Sequence, residues 1–307
     1  MLTRPAPDIK TTDVYNAFGL NIASEIPLLD METIQGVPDV IIKYGDIPDT
    51  LADAVIKGVR YEASPDTFLL KLDGIAGYHV TQGRRIVVQA APAAVPEEIL
   101  LFLMGSVMGA LLHQRNILPL HAGAVLTDQG AVILAGPSGI GKSTLTAVFQ
   151  QQGFPILADD VCAVSAEKKN GVKVLPGFPR LKLWADALKK LETSPEGLKQ
   201  VRQAPDLNKY FIPFNSRANS PAPIRSIFIL QSTHSDEFDI ETLVGMKRIQ
   251  PILKNTYRPE ILEEMGTKQD HFRQCAALAD TVPVFRLSRP QKGFRLGELM
   301  NFVKRHW

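Results

Sequence analysis

The sequence predicts an α/β fold with a mixed sheet (α+β in texture), preceded by a small, mostly antiparallel β-rich domain. Three observations predict it. Short β-branched runs separated by turn pairs fill the chain up to about residue 92, one long apolar segment follows at 99–112, and apolar strands then alternate with helical stretches. The 307 residues suit about two domains, and the change in texture divides the chain into 1–95 and 96–307.

In the first part strands are expected at 40–42, 67–72, 77–81 and 85–89, punctuated by the turn pairs Asp73-Gly74 and Gln82-Gly83. A helix is expected over 96–115, because Pro96 suits a first helical position and Glu97 and Glu98 suit the positive end of the helix dipole. Its apolar run of fourteen residues is interrupted by Gly105, Ser106 and Gly109. That falls short of the roughly 18 needed to cross a bilayer, so it reads as a buried core helix. Downstream come a strand at 131–135, a glycine-rich loop, a helix at 142–152 and a strand at 155–158. A hairpin at 161–165 and 172–175 turns around 168–171, and later strands fall at 226–231 and 282–287. Segment 192–223, rich in Pro, Asn, Ser and charge, reads as an excursion or mobile loop over the core.

Composition narrows the function. The 34 Lys and Arg against 32 Asp and Glu give a net charge of +2, far from the basic excess of a nucleic-acid binder. Neither of the two cysteines, Cys162 and Cys275, has a second Cys or a His at metal-ligand spacing, which argues against a disulfide framework or zinc site. Arg4, Asp8 and Lys10 interrupt the start where a signal peptide needs an apolar run, so the chain reads as cytoplasmic, with no membrane partner.

The sharpest motif is Gly136-Pro-Ser-Gly-Ile-Gly141-Lys142-Ser143, a GxxxxGK[ST] pattern between an expected strand and an expected helix. Glycines let backbone N–H groups wrap a polyphosphate while the helix N-terminus faces the same anion. Gly136, Ser138, Gly139, Ile140, Gly141, Lys142, Ser143 and Thr144 are therefore the expected nucleotide-binding residues, with Lys142 at the β and γ oxygens and the Ser143 hydroxyl on Mg²⁺. ATP and Mg²⁺ are the expected cofactors. The competing reading is a tight strand-to-helix turn with an ordinary surface lysine.

Asp159 and Asp160 end the strand at 155–158, on the edge where open α/β sheets gather ligands. Adjacent strand residues point to opposite faces, so both carboxylates reach one site only if the chain turns there. One can hold Mg²⁺, or one with a raised pKa can accept a proton from an attacking hydroxyl. Two solvated acids at a strand end are the alternative. His121, in Pro119-Leu-His-Ala-Gly-Ala124, reads on its own as a satisfied core histidine. Cys162 reads as core.

His121 lies 21 residues before Lys142, and Asp160 lies 18 after it. With the loop, these intervals resemble the HPr kinase/phosphorylase family, whose catalytic P-loop domain is related to phosphoenolpyruvate carboxykinase. The matched core spans about 119–165. The resemblance implies Asp160 as proton acceptor for a substrate serine and Asp159 beside the metal. It further implies Lys142 neutralising charge in the transition state, Ser143 on Mg²⁺ and His121 supporting the aspartates. It also implies a possible homo-oligomer. Two departures stand out: Thr144 occupies the place of a glutamate after the loop serine, and Pro176-Gly-Phe-Pro-Arg-Leu-Lys-Leu-Trp184 replaces an Arg-Gly-Leu-Gly signature. The implied activity is thus serine kinase rather than phosphorolysis. Phe18-Gly-Leu20, Ser24-Glu25 and Val282-Pro-Val-Phe-Arg-Leu-Ser-Arg-Pro290 resemble HPr-kinase-like proteins encoded with ribosomal peptide biosynthesis genes. Some of those phosphorylate the C-terminal serine of a lasso-peptide precursor, so the implied partner is a peptide or protein with an acceptor serine, which 1–95 could help to hold.

Arg180 and Lys182 are candidates to grip phosphate or a substrate carboxylate, with Arg258, Arg286 and Arg289 weaker candidates of the same sort. Three other readings stand beside the serine kinase: an ATP-gated binding or regulatory protein without phosphotransfer, an HPr(Ser) kinase proper, and a phosphoenolpyruvate carboxykinase-like enzyme. The chain is much shorter than the last of these families.

Overall fold

The computed structural model describes residues 13–307 apart from 29, 53, 55, 58–59, 168–170, 203–207, 292 and 294. Its class is mixed α/β. Among the described residues the strands form two nine-stranded sheets and one two-stranded sheet.

The first sheet runs, from edge to edge, Thr33–Ile34, Asp13–Ala17, Leu20–Ser24, Val40–Tyr44, Arg85–Ala90, Ala76–Thr81, Thr67–Leu72, Tyr61–Ala63 and Ile56–Lys57. Val40–Tyr44 is parallel to both neighbours, and the other pairings are antiparallel. Strict alternation of buried and half-buried residues along Ala76–Thr81 is the period-2 signature of a sheet with one covered face. Gln82 and Gly83 both take positive φ, 52° and 60°, in a tight turn that the Arg84 N–H closes onto the Thr81 carbonyl at 3.0 Å.

The covering element is the helix at 96–114. It begins with proline in its first turn and Glu97 and Glu98 at the positive end. A π-helical turn, Leu103–Val107, separates Pro96–Phe102 from Met108–Gln114. Its apolar residues share a core with Ile22, Ile42, Tyr78, Ile86 and Val88 of the first sheet, and with Val161, Ala163, Leu175 and Phe178 beyond it. The Tyr78 hydroxyl donates to the Ile99 carbonyl at 2.9 Å. The helix is longer than the fourteen-residue apolar run: at 19 residues, Pro96–Gln114 is long and apolar enough to cross a membrane by length and composition, and it is the core shared with the first sheet, not its length, that marks it as a core helix.

The second sheet is ordered Leu118–Leu120, Cys162–Glu167, Gly171–Leu175, Ala222–Thr233, Gly130–Ala135, Ala122–Thr127, Ile156–Ala158. Val284–Pro290 adds parallel to Ala222–Thr233 and carries Asp239–Thr242 antiparallel on its other side. Side chains of Gly130–Ala135 divide between two cores. Ala131, Ile133 and Ala135 face one that includes Ile249 and Ile252 of helix Met246–Lys254 and Cys275 and Leu278 of helix Lys268–Thr281. Val132 and Leu134 face another with Leu145 and Phe149 of helix Lys142–Gln151 and Leu299 and Val303 of helix Leu296–Lys304. Helices on both faces bury the strand completely, which is why it reads as an unbroken apolar run.

One expectation is corrected. Segment 192–223 carries a strand of its own, Lys209–Pro213, which pairs antiparallel with Arg180–Trp184. Pro, Asn and Ser around a five-residue strand hid its Lys-Tyr-Phe-Ile core. The hairpin expected around 168–171 forms as the antiparallel pair Cys162–Glu167 and Gly171–Leu175; 168–170 lie outside the described residues.

Candidate active site

Topology assembles the site. Ala122–Thr127 is antiparallel to both Gly130–Ala135 and Ile156–Ala158, with Ala122 opposite Ala135 and Ala124 opposite Ala158. The start of the first strand therefore lies on the same sheet edge as the ends of the other two. His121, the loop from Gly136 and the aspartates at 159–160 meet there although as many as 39 residues separate them.

The loop needs its glycines for stated reasons. At Gly136, φ is 145° and a Cβ would stand 2.6 Å from the Leu230 carbonyl oxygen. Gly141, at φ 101°, turns the chain into the helix that begins with Lys142. Ser138 and Gly139 are exposed, Ser143 is half-buried, and Ile140 and Thr144 are buried. The ammonium of Lys142, 6% exposed, donates to the carbonyls of Gly136 at 2.8 Å and Pro137 at 3.1 Å. Burial lowers its pKa to about 8, against the opposing pull of Asp159 and Asp160.

Asp160 has φ 70°, an uncommon conformation for a non-glycine residue. This is the turn that both carboxylates need. Lys182 bridges them: its backbone N–H donates to Asp159 Oδ2 at 3.3 Å and its Nζ to Asp160 Oδ2 at 2.6 Å. His121 Nδ1 lies 3.3 Å from Asp160 Oδ1 and 3.2 Å from the Asp160 carbonyl oxygen. Both are acceptors, so the geometry assigns the proton to Nδ1.

The two acids are driven apart. Burial first, and then Asp160, raise Asp159 to about 6, while Ser143 and Lys182 pull it down. Burial alone would lift Asp160, but Lys182 and His121 hold its carboxyl well below the usual carboxylate range. Burial pulls Lys182 down, and Asp160, Tyr257 and Asp159 together outweigh it and raise its pKa. The raised pKa therefore falls on Asp159.

Asp159 Oδ1 is buried without a hydrogen-bond partner among the described residues. An orphaned carboxylate oxygen beside the Ser143 hydroxyl fits a hard cation. No cluster of three or more His, Cys, Asp or Glu gathers among the described residues to hold a metal unaided.

Of the further candidates, Lys182 joins the site, and Arg180 lines the same cavity as Asp159, Asp160 and Lys182, its buried guanidinium ion-paired with Asp30 and 5.1 Å from the Phe211 ring centroid. Arg289 Nε donates to the Ile140 carbonyl at 3.0 Å and so braces the loop. Arg286 pairs with Glu241, away from the loop. Sequence reasoning missed Lys209 and Tyr257. Lys209 lies over the Trp184 ring at 5.6 Å, and its pKa is lowered by burial and by Lys182 against the pull of the aspartates. An alternation of cation and aromatic in Arg180-x-Lys182-x-Trp184 and Lys209-x-Phe211 was the available signal, since those residues share one face of the pair. Tyr257 sits with its ring centroid 5.9 Å from that of His121, and burial and Asp160 raise its pKa to about 12. Nothing in the sequence around 257 marks it. Cys162 is buried and free, its thiol pushed up to about 12 by burial, as befits a core residue.

No family model matches the chain, and no curated protein matches it. Among solved structures it is similar to the Hpr(Ser) kinase/phosphatase from Coxiella burnetii, with a TM-score of 0.31 and 14% identity. The match covers 61% of this chain and 95% of that one. A likeness that distant carries no weight here, and the functional reading rests on the geometry of the sheet edge.

Proposed function

We propose that the chain is an ATP- and Mg²⁺-dependent kinase that transfers the γ-phosphoryl group to a serine hydroxyl of a peptide or protein. The observation that carries the reading is one sheet edge bearing a GxxxxGK[ST] loop, a buried carboxylate oxygen without a partner and a second carboxylate held ionised beside it. On this reading the chain has a P-loop catalytic domain over 96–307 with the first sheet as a separate domain. The loop amides and Lys142 hold the triphosphate. Ser143 and Asp159 would hold Mg²⁺, which supplies charge neutralisation between the β and γ phosphates.

Asp160 accepts a hydrogen bond from the serine hydroxyl and takes its proton late, as suits a loose transition state that asks more for orientation than for a strong base. His121, through Nδ1, fixes that carboxylate. Lys182 neutralises charge at the other oxygen, Oδ2, and must yield it to the incoming hydroxyl. The sequence resemblance points to the C-terminal serine of a lasso-peptide precursor as acceptor.

Incubation with γ-labelled ATP, Mg²⁺ and serine peptides, a lasso-peptide precursor with a C-terminal serine among them, is expected to label serine. Asp160→Asn should bind ATP normally and lose transfer by about 10²–10⁴-fold. Normal turnover by that variant would remove Asp160 from the mechanism. ATP binding with no labelled product, coupled to a change in peptide affinity, would establish the nucleotide-gated binding protein instead.

A further inference from the structure

Away from that edge, the first sheet and the helix at 96–114 enclose a cavity of about 410 Å³. Phe68, Leu70, Phe102 and Ile261 give it apolar walls, and Arg60, Arg258 and Glu260 line its charged side, two cations against one carboxylate. It continues past Arg60, Tyr61, Leu72 and Phe102 into a second cavity of about 260 Å³, which makes a groove rather than a pit. Arg60 is exposed. The Arg258 guanidinium contacts Ser106 Oγ at 3.1 Å and Glu260 at 3.4 Å, and that exposed ion pair is weak competition for an incoming anion.

The groove connects to the candidate active site through the π-turn. A Cβ on Gly105 would stand 3.1 Å from the Tyr257 hydroxyl, and the next residue, Ser106, holds Arg258. Irregular turns of this kind recur at functional sites. Tyr257 in turn lies against His121, which holds Asp160 at 3.3 Å. The Arg258 guanidinium lies over the Tyr257 ring at 5.8 Å, so these contacts place it within about 16 Å of the Asp160 carboxylate, a straight-line span of about four extended residues.

We propose that this groove receives the acceptor peptide. A bulky apolar side chain about three residues from the serine enters between Phe68, Leu70, Phe102 and Ile261, and a neighbouring carboxylate meets Arg60 and Arg258. An elongated apolar groove with two arginines and a short path to the candidate base fits a peptide better than a compact metabolite. The proposal rests on the kinase reading for the word acceptor, and its test does not.

Fluorescein-labelled pentapeptides carry serine at one end. Across a two-glycine spacer they bear phenylalanine–glutamate, alanine–glutamate, phenylalanine–lysine or alanine–lysine, each in both chain directions. Their affinities are measured by anisotropy on the full chain without nucleotide. The phenylalanine–glutamate peptide should bind at least about tenfold tighter than alanine–lysine in one direction, and the Arg60→Glu, Arg258→Glu double variant should turn the preference from glutamate to lysine. Equal affinities, or a preference untouched by charge reversal, would overturn the proposal. If the double variant loses its circular-dichroism signature, the wild-type ranking decides alone. A peptide that binds in this pattern and receives no phosphate from ATP sinks the kinase reading and leaves the groove as a peptide site. Phosphorylation indifferent to the pair sinks the groove and leaves the kinase.

Discussion

The two nine-stranded sheets treat their strand ends in opposite ways. In the first, the antiparallel run Thr67–Leu72, Ala76–Thr81 and Arg85–Ala90 has its ends closed by the tight turns Asp73-Gly74 and Gln82-Gly83. In the second, Gly130–Ala135 and Ile156–Ala158 both run antiparallel to the strand between them, so two strand ends and one strand start share an edge that no hairpin closes. Charged groups collect there at the cost of burial: Asp159 is 8% exposed and Lys142 6%. A hairpin sheet spends its ends on turns, whereas a crossed sheet leaves them free to hold chemistry.

The sharpest way to break this contrast is to remove one buried charge from the edge. Lys142→Met should reduce phosphoryl transfer by about 10²-fold or more, as loss of a preorganised charge does. Arg85→Met, an exposed position on the first sheet, should leave transfer unchanged. Quantitative labelling of the same serine peptide checks both. Equal, small effects would mean that the edge is not the reacting centre.

The first sheet was partly legible because its central strands are rich in β-branched and apolar residues and are bounded by Gly-containing turn pairs, although only Ala76–Thr81 alternates strictly. The expected 67–72 coincides with Thr67–Leu72, and 77–81 and 85–89 fall one residue short of the observed strands. Asp13–Ala17 and Leu20–Ser24 escaped notice because they join at Phe18-Gly19, where neither residue of the turn is a familiar Asn or Asp. The glycine-rich loop was legible as a local motif with a local mechanism. Lys209 and Tyr257 were not, since their meaning depends on a strand pairing and on a helix contact far along the chain. That both aspartates reach one site was legible only as a condition, which the positive φ of Asp160 meets.

A mid-sized effect tests the joint between the two regions. His113, at the end of Met108–Gln114, is 6% exposed, bonds through Nε2 to the Tyr257 carbonyl at 2.9 Å and faces the His271 ring. Burial lowers its pKa from 6.5 to about 4, with His271 adding to the fall. Between those values the unfolded chain takes up a proton that the folded one refuses. Its contribution is complete above pH 6.5 and is lost as the pH falls toward 4, by about 3 kcal/mol in all. Denaturant unfolding at pH 7.5 and pH 5 should show about 2 kcal/mol of this loss, and His113→Gln should flatten the slope. An unchanged slope would mean that another group governs acid stability.

The smallest expected effect asks whether the Tyr257 ring is truly seated on the helix that joins the sheets. Alanine for glycine within a helix ordinarily gains about 1 kcal/mol. Gly297→Ala, in Leu296–Lys304 with open space around the new Cβ, should show a gain of that sign. At Gly109 the same methyl would stand 2.9 Å from Tyr257 Cδ1 and 3.1 Å from Cε1. The ring has no easy retreat, because the Tyr257 backbone is tied to the Pro119 carbonyl at 2.8 Å and to His113. Crowding therefore outweighs propensity, and Gly109→Ala should destabilise by about 1–2 kcal/mol. Thermal melts of the two variants compare the signs directly. If both rise, Tyr257 is free to leave the helix, and the contact that links His121 and the groove is not a fixed part of the fold.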